Sequence, residues 1–198
     1  MFTFRYYINM DRFLRKRNRL SPEAYRGRKA YFLTLCTWDR KRGFVDSGLV
    51  EMILGVLRDV CVRISFGVYA YCFMPDHLHL IVTGEDDSSE LPGMVRAFKS
   101  LAAGAGAEIG VFDIWQKGYY DHVLRSGESM DSAAWYVFMN PVRAGLVGRM
   151  EEWEFSGSFV FESGMMVPPS DLFEPPWKRT AEEARIIEGT SVKRRMAS

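Results

Sequence analysis

Residues 66–83, FGVYAYCFMPDHLHLIVT, constrain this chain more than any other stretch. Two runs rich in β-branched and aromatic residues are separated only by Pro75 and Asp76. The spacing predicts two strands, 66–74 and 77–83, folded back on each other through a tight turn. Side chains alternate across a strand, so His77, His79 and Ile81 share one face, while Leu78, Leu80 and Val82 share the other. Two of the three histidines in the protein therefore project side by side from a stiff strand. Taken alone, such a pair is either a metal-ligand pair or two polar residues on a solvated sheet face.

The surrounding sequence supplies the rest of a sheet. AYFLTLCTW (30–38) reads as a first strand. Residues 49–64 carry apolar side chains at 50, 53, 54, 57, 60, 61 and 64, the three-four spacing of a helix, with Asp46 or Ser47 as its cap. A second helix over 91–105 begins near Pro92, and 114–125 supplies one further extended segment or two. A third helix over about 128–139 ends at Asn140-Pro141, because the residue before proline avoids the helical region. The order β-α-β-β-α-β-α predicts an α+β domain, a ferredoxin-like or RNA-recognition-like (RRM-like) antiparallel β-sheet with helices on one face. Residues 30–150 are expected to form this domain, with a basic N-terminal arm (1–29) and a partly irregular, proline-interrupted C-terminal extension (151–198).

At 198 residues and 47% hydrophobic, the chain can bury one sizeable core. No apolar run approaches the roughly twenty residues of a membrane span, and the basic N-terminus lacks an apolar signal core. Cys36, Cys61 and Cys72 show no paired spacing, so neither a disulfide framework nor a cysteine zinc site is indicated. A soluble, cytoplasmic protein is expected, with no membrane partner. The net charge of +1 hides an asymmetry. Residues 1–42 hold twelve basic and three acidic side chains, a net of +9, against fourteen and twenty-two in the remainder. That local field attracts polyanions, and Phe13, Tyr25, Tyr31 and Trp38 lie among the charges. The competing reading is a solvated arm that aids solubility.

A metal needs a third donor beyond two imidazoles. In AAWYVFMNPVRAGLV, Tyr136 and Asn140 lie four residues apart on one helix face, so the Asn140 carboxamide could complete a site beside the Tyr136 hydroxyl. Alternatively, Tyr136 belongs to the core and Asn140 only ends a helix.

Four segments, RKRNRLSPEAYRGRKAYFLTLCTWDR, YCFMPDHLHLIV, WQKGYYDHVLR and YVFMNPVRAGLV, occur in this order. Together they closely resemble the REP-associated tyrosine transposases (RAYT), single-tyrosine members of the His-hydrophobic-His (HUH) endonuclease superfamily of insertion-sequence-type transposases. The resemblance covers about residues 14–150 and implies an HUH-type nuclease fold. It implies that His77 and His79 bind a divalent metal, Mg2+ or Mn2+, with Asn140 as third ligand and Tyr136 as nucleophile. The reaction it implies is cleavage and rejoining of single-stranded DNA beside a REP-like hairpin through a 5′-phosphotyrosine, without a nucleotide cofactor. Oxygen-preferring magnesium matches two imidazoles poorly, which favours manganese. Arg15, Lys16, Arg17 and Arg19 are the candidates for gripping the hairpin, and Arg96, Lys99 and Arg143 are further phosphate candidates. His122 reads as a structural sheet histidine or as a residue approaching the site, and Asp76 as a turn residue or a partner that orients a histidine. Two rival functions are a domesticated DNA-binding protein without cleavage and a phosphohydrolase using activated water. Both a monomer and a homodimer fit the resemblance. Deleting residues 1–28 is expected to weaken hairpin binding and flatten its dependence on salt, because fewer counterions are released; equal slopes for the intact and truncated proteins would remove the arm from the interface.

Overall fold

The structure, a computed structural model, describes residues 21–162 and 166–175. Arg15, Lys16, Arg17 and Arg19 lie outside the described residues. Strand β1 (Ala30–Cys36) leads through α1 (Ser47–Arg63) to the hairpin of β2 (Phe66–Met74) and β3 (His77–Gly84). Helix α2 (Leu91–Glu108), β4 (Tyr120–Val123), α3 (Met130–Phe138), the short α4 (Asn140–Arg143) and β5 (Ser156–Gly157) follow. Asp46 is the α1 cap, its carboxylate accepting from Leu49 N at 2.8 Å. Ser129 caps α3. Helix α3 stops at Phe138, and Pro141 sits in the first turn of α4, where its missing N–H is not needed. Of the extended segment expected over 114–125, only Tyr120–Val123 pairs as a strand, together with a single bridge between Thr37 and Trp115.

The five strands form one antiparallel sheet in the order β4-β1-β3-β2-β5. The first four make the ferredoxin-like arrangement, in which α1 and α2 are crossovers between non-adjacent parallel strands. The α+β antiparallel sheet expected from the sequence is what forms. Its two long helices lie on one face, where α1 and α2 bury Leu33, Leu35, Leu78, Leu80 and Val82. The opposite face is apolar as well. Phe32, Ala70, Cys72, Met74 and Ile81 are buried there against α3. A strand apolar on both faces needs cover on both, so α3 takes the side that α1 and α2 leave open. An extra residue, Tyr69, bulges β2 between Val68, paired with Val82, and Ala70, paired with Ile81. The bulge turns Tyr69 toward α3, where its hydroxyl donates to Asp131.

Packing runs past residues 30 and 150. Tyr25 is buried, and its hydroxyl donates to Asp121 Oδ2 at 2.6 Å. Trp153 Nε1 donates to Phe73 O at 2.9 Å, and Phe73 N to Phe155 O at 2.8 Å. With β5, these bonds cover the outer edge of β2, which would otherwise offer unpaired backbone groups. No helix among the described residues is long and apolar enough to cross a membrane.

Close approach at the end of β3 gives a clean test of the packing. A methyl on Gly84 would overlap the Gly27 carbonyl, whereas one on Gly55, midway along α1, would meet open space. Gly84→Ala is expected to cost about 1–3 kcal/mol in urea unfolding. Gly55→Ala is expected to gain about 0.5–1 kcal/mol from helix propensity. Equal effects of the two would contradict this packing.

Candidate metal and nucleophile site

The site starts from strand register. Thr34 of β1 lies opposite His79 of β3, and His79 lies opposite Cys72 of β2. Tyr120 of β4 lies opposite Thr34 on the other side. Paired residues share a face, so this row crosses the sheet on the α3 side. One step along, Cys36 lies opposite His77. The two histidines therefore share a face, as alternation predicts, and that face is the one under α3.

Their ring nitrogens converge. His77 Nε2 and His79 Nε2 stand 3.1 Å apart. The other nitrogen of each ring is held: His77 Nδ1 lies 2.6 Å from Asp76 Oδ1, and His79 Nδ1 lies 2.9 Å from Thr34 Oγ1. Burial raises the pKa of Asp76, but its hydrogen bond to His77 and the charges of His77 and Arg40 bring it below the ordinary carboxylate value. Asp76 is therefore a carboxylate that accepts, and His77 donates Nδ1–H to it, an arrangement that in the neutral ring puts the lone pair on Nε2. His79 is only 6% exposed. Burial, His77 and the Arg143 charge hold its pKa well below the ordinary histidine value. It stays neutral, as ligation requires. The Thr34 hydroxyl can donate or accept, so it serves either tautomer of His79.

These residues fit a divalent ion. Adjacent ligands of an octahedral ion at about 2.1 Å lie about 3.0 Å apart, close to the separation of the two Nε2 atoms. Oriented outer nitrogens are what metal-ligating histidines show. No cluster of three His, Cys, Asp or Glu side chains suited to a metal occurs among the described residues. A further protein donor would thus come from another type of oxygen. Asn140 donates Nδ2 to the Tyr136 and Val137 carbonyls at 3.0 and 3.2 Å. With its amide hydrogens committed to the helix end, Oδ1 is the side-chain atom left that could serve as a ligand.

Tyr136 faces the same side of the sheet from α3 and is 7% exposed. Its ring meets Phe32 edge-on at 6.0 Å, and Phe32 meets the His79 ring at 5.3 Å. Phe32 thus links the tyrosine to the histidine pair. The Arg143 guanidinium lies 3.9 Å from the Tyr136 ring centroid and donates to the Tyr136 carbonyl at 2.7 Å. Burial raises the Tyr136 phenol above its ordinary pKa, and Arg143 pulls it back.

The expected residues divide into two groups. His77, His79, Tyr136 and Arg143 gather on one face. Arg96 and Lys99 belong to α2, on the opposite face, where Arg96 is exposed. The Lys99 ammonium donates to the Gln116 and Gly118 carbonyls at 2.6 and 2.7 Å, bracing that loop. His122 does share the site's face. It is bonded to Glu128 at 2.8 Å, and its ring lies 6.5 Å from Phe173. Two residues, Thr34 and Phe173, escaped the sequence reading. Thr34 is recognisable only through register. Tyr120, whose pKa is raised by burial, shares its row. Phe173, in the extension, stacks on Phe32 at 5.9 Å and meets Tyr136 at 5.8 Å. No periodicity pointed to it.

Comparison with known proteins accords with this geometry. Residues 28–137 match the family described as Transposase IS200 like. The match takes in both histidines and Tyr136 and stops before Asn140. A REP-associated tyrosine transposase of Escherichia coli K12 is 26% identical over 105 residues, covering 51% of this chain and 62% of that protein. A Haemophilus influenzae protein described as "Putative REP-associated tyrosine transposase" is 26% identical over 141 residues, covering 64% of this chain and 77% of its own. Among solved structures, a REP-associated tyrosine transposase bound to a REP hairpin superposes with a TM-score of 0.63 at 21% identity. That match covers 77% of this chain and 92% of the other. At that identity the likeness establishes the fold. With more than half its length matched, the chain belongs to the IS200-like transposase family.

Removing the hydroxyl beside His79 tests the row. Thr34→Val is nearly isosteric and leaves a buried ring nitrogen unpaired, so it is expected to cost about 1–3 kcal/mol in chemical denaturation. Thr34→Ser, which keeps the hydroxyl, should recover part of that loss. A Val variant as stable as wild type would mean that the bond contributes nothing.

Proposed function

We propose that this member of the IS200-like transposase family cleaves and rejoins single-stranded DNA beside a REP-like hairpin, with Tyr136 as nucleophile and a divalent metal held by His77, His79 and Asn140. The observation that carries the reading is the convergence of the two Nε2 atoms on the sheet face that also receives Tyr136. The family membership supports a transposase, and the hairpin bound by the structural relative supports the substrate class.

In this reading the Tyr136 oxygen attacks phosphorus. The O–P bond forms, the bond from phosphorus to the 3′ oxygen breaks, and the proton lost by tyrosine is balanced by protonation of the leaving 3′ oxygen. The product is a 5′-phosphotyrosine and a free 3′-OH, and attack by another 3′-OH reverses the step onto a new strand. A phenol with a pKa near 10 attacks poorly unless its phenolate is favoured. Burial works against the phenolate here, and Arg143 offsets that burial only in part, so the rest of the activation falls to the bound metal. When bound, the metal would neutralise charge on the phosphate oxygens. Asp76 and Thr34 orient the histidines, and Phe32 and Phe173 exclude water around the tyrosine. The basic arm, including Arg15, Lys16, Arg17 and Arg19, grips the hairpin in this reading, and Arg96 is a peripheral phosphate contact. Lys99, committed to two carbonyls, is better explained as support for the loop. Both a monomer and a homodimer are compatible with this reading.

Tyr136→Phe removes one oxygen and almost no volume, so stability and hairpin binding should change little while strand cleavage with manganese falls to background. His77→Ala with His79→Ala should likewise reduce cleavage to background through the metal while most hairpin binding persists, with some loss of stability because His79 is buried. Mass spectrometry of the wild-type adduct should locate the nucleotide on Tyr136. An adduct on Tyr120, or a Phe variant that cleaves normally, overturns the assignment. Cleavage without any adduct supports a water-using phosphohydrolase instead.

A further inference from the structure

Arg40 belongs by sequence to the basic stretch that would meet nucleic acid, yet its surroundings differ from those of an exposed phosphate contact. Asp39 and Arg40 are successive non-glycine residues in the left-handed region, with φ of 51° and 54°. Aspartate tolerates that region, but arginine rarely enters it, and such a conformation persists where neighbouring bonds over-determine it. Those bonds are present. Thr37 N and Thr37 Oγ1 both donate to the Asp76 carbonyl, at 3.0 and 2.9 Å. Thr37 Oγ1 also lies 2.7 Å from the Lys41 carbonyl, and Lys41 N donates to Trp38 O at 3.1 Å. The turn over 37–41 is therefore stitched to the turn between β2 and β3.

The consequence is where the guanidinium arrives. Arg40 Nη1 lies 3.2 Å from Asp76 Oδ2, while Asp76 Oδ1 accepts from His77 Nδ1 at 2.6 Å. A continuous line thus runs from Arg40 through Asp76, His77 and His79 to Thr34. The Arg40 and Asp76 side chains are 35% and 28% exposed, so solvent screens the pair only in part.

We propose that Arg40 is a positioning residue for the histidine pair: it holds the Asp76 carboxylate against His77 Nδ1, so that His77 presents Nε2 to a divalent cation. It is not a contact to DNA. The role rests on the metal reading above. Without the guanidinium, Asp76 is free to rotate toward solvent, and His77 loses the partner that selects its ring orientation.

Manganese binding to the DNA-free, full-length protein, followed by electron paramagnetic resonance or calorimetry, reads this directly. Arg40→Gln is expected to weaken manganese binding about tenfold, the lower end for such outer partners. Arg40→Lys, which keeps a cation near Asp76, should restore most of it, and Asp76→Asn should weaken binding at least as much as Arg40→Gln. Hairpin affinity and its salt slope, measured without manganese, should match wild type in all three. Equal manganese affinity in Arg40→Gln and wild type would overturn the role. A salt slope smaller by about one, with manganese affinity intact, would make Arg40 a phosphate contact instead. His77→Ala separates the two levels: if it binds manganese as wild type does, the metal reading itself fails. If it does not, while Arg40→Gln and Asp76→Asn bind normally, only the role of Arg40 fails.

Discussion

The antiparallel pairing of β1 with β3 is the constraint on which the rest of the molecule depends. Its register sets Thr34 opposite His79 and Cys36 opposite His77. Because side chains alternate, a slip of one residue would turn both histidines into the apolar layer beneath α1 and α2 and bring Leu78 and Leu80 to the other face. Burial on both faces makes that slip costly in either direction. Leu33, Leu78 and Leu80 are fully buried on one side and Phe32 and Ile81 on the other. The same packing that holds the sheet together thus holds two polar rings at one edge of an apolar face. Burial there holds His79 in its neutral form.

Two-sided burial also explains how a tyrosine from a helix reaches that edge. Helix α3 carries Ala133, Ala134 and Val137 against the sheet. Small residues let it lie close, and Tyr136 then projects onto Phe32 and the histidine side. The end of the helix serves a second purpose. The Tyr136 carbonyl, freed where α3 stops, collects Asn140 and Arg143 as donors. Those bonds place a carboxamide and a cation beside the tyrosine. Capping and site-building are the same contacts here, so the two readings of Asn140 left open by the sequence do not exclude each other.

Charge was the least legible part of the chain. Composition marked residues 1–42 as a cationic unit, but folding divides it. Arg40 turns inward to Asp76, and Arg28 pairs only at the surface with Asp87 at 3.8 Å. Lys99 bonds two carbonyls on the helical layer opposite the histidines. A count of basic residues predicts a field, whereas which cations remain available to a polyanion depends on the turns that aim them. The extension past residue 150 was hidden for a related reason. Trp153, Phe155 and Phe173 lie in irregular backbone without periodicity, so nothing local distinguishes a packed loop from a loose one.

The sequence by itself determined the hairpin, the two long helices, the order of elements and the shared face of His77 and His79. All of these follow from periodicities and turn residues within a few positions of one another. It also singled out Tyr136 and Asn140 as near neighbours, although Asn140 opens α4 instead of sharing the helix of Tyr136. Only the tertiary structure decided that α3 would cover the histidine face, that Thr34 and Tyr120 would join the row of His79, and that Arg40 would reach Asp76. Those relations connect residues 36 to 86 positions apart. They depend on which apolar faces find each other and on strand register, and no local pattern of side chains encodes either.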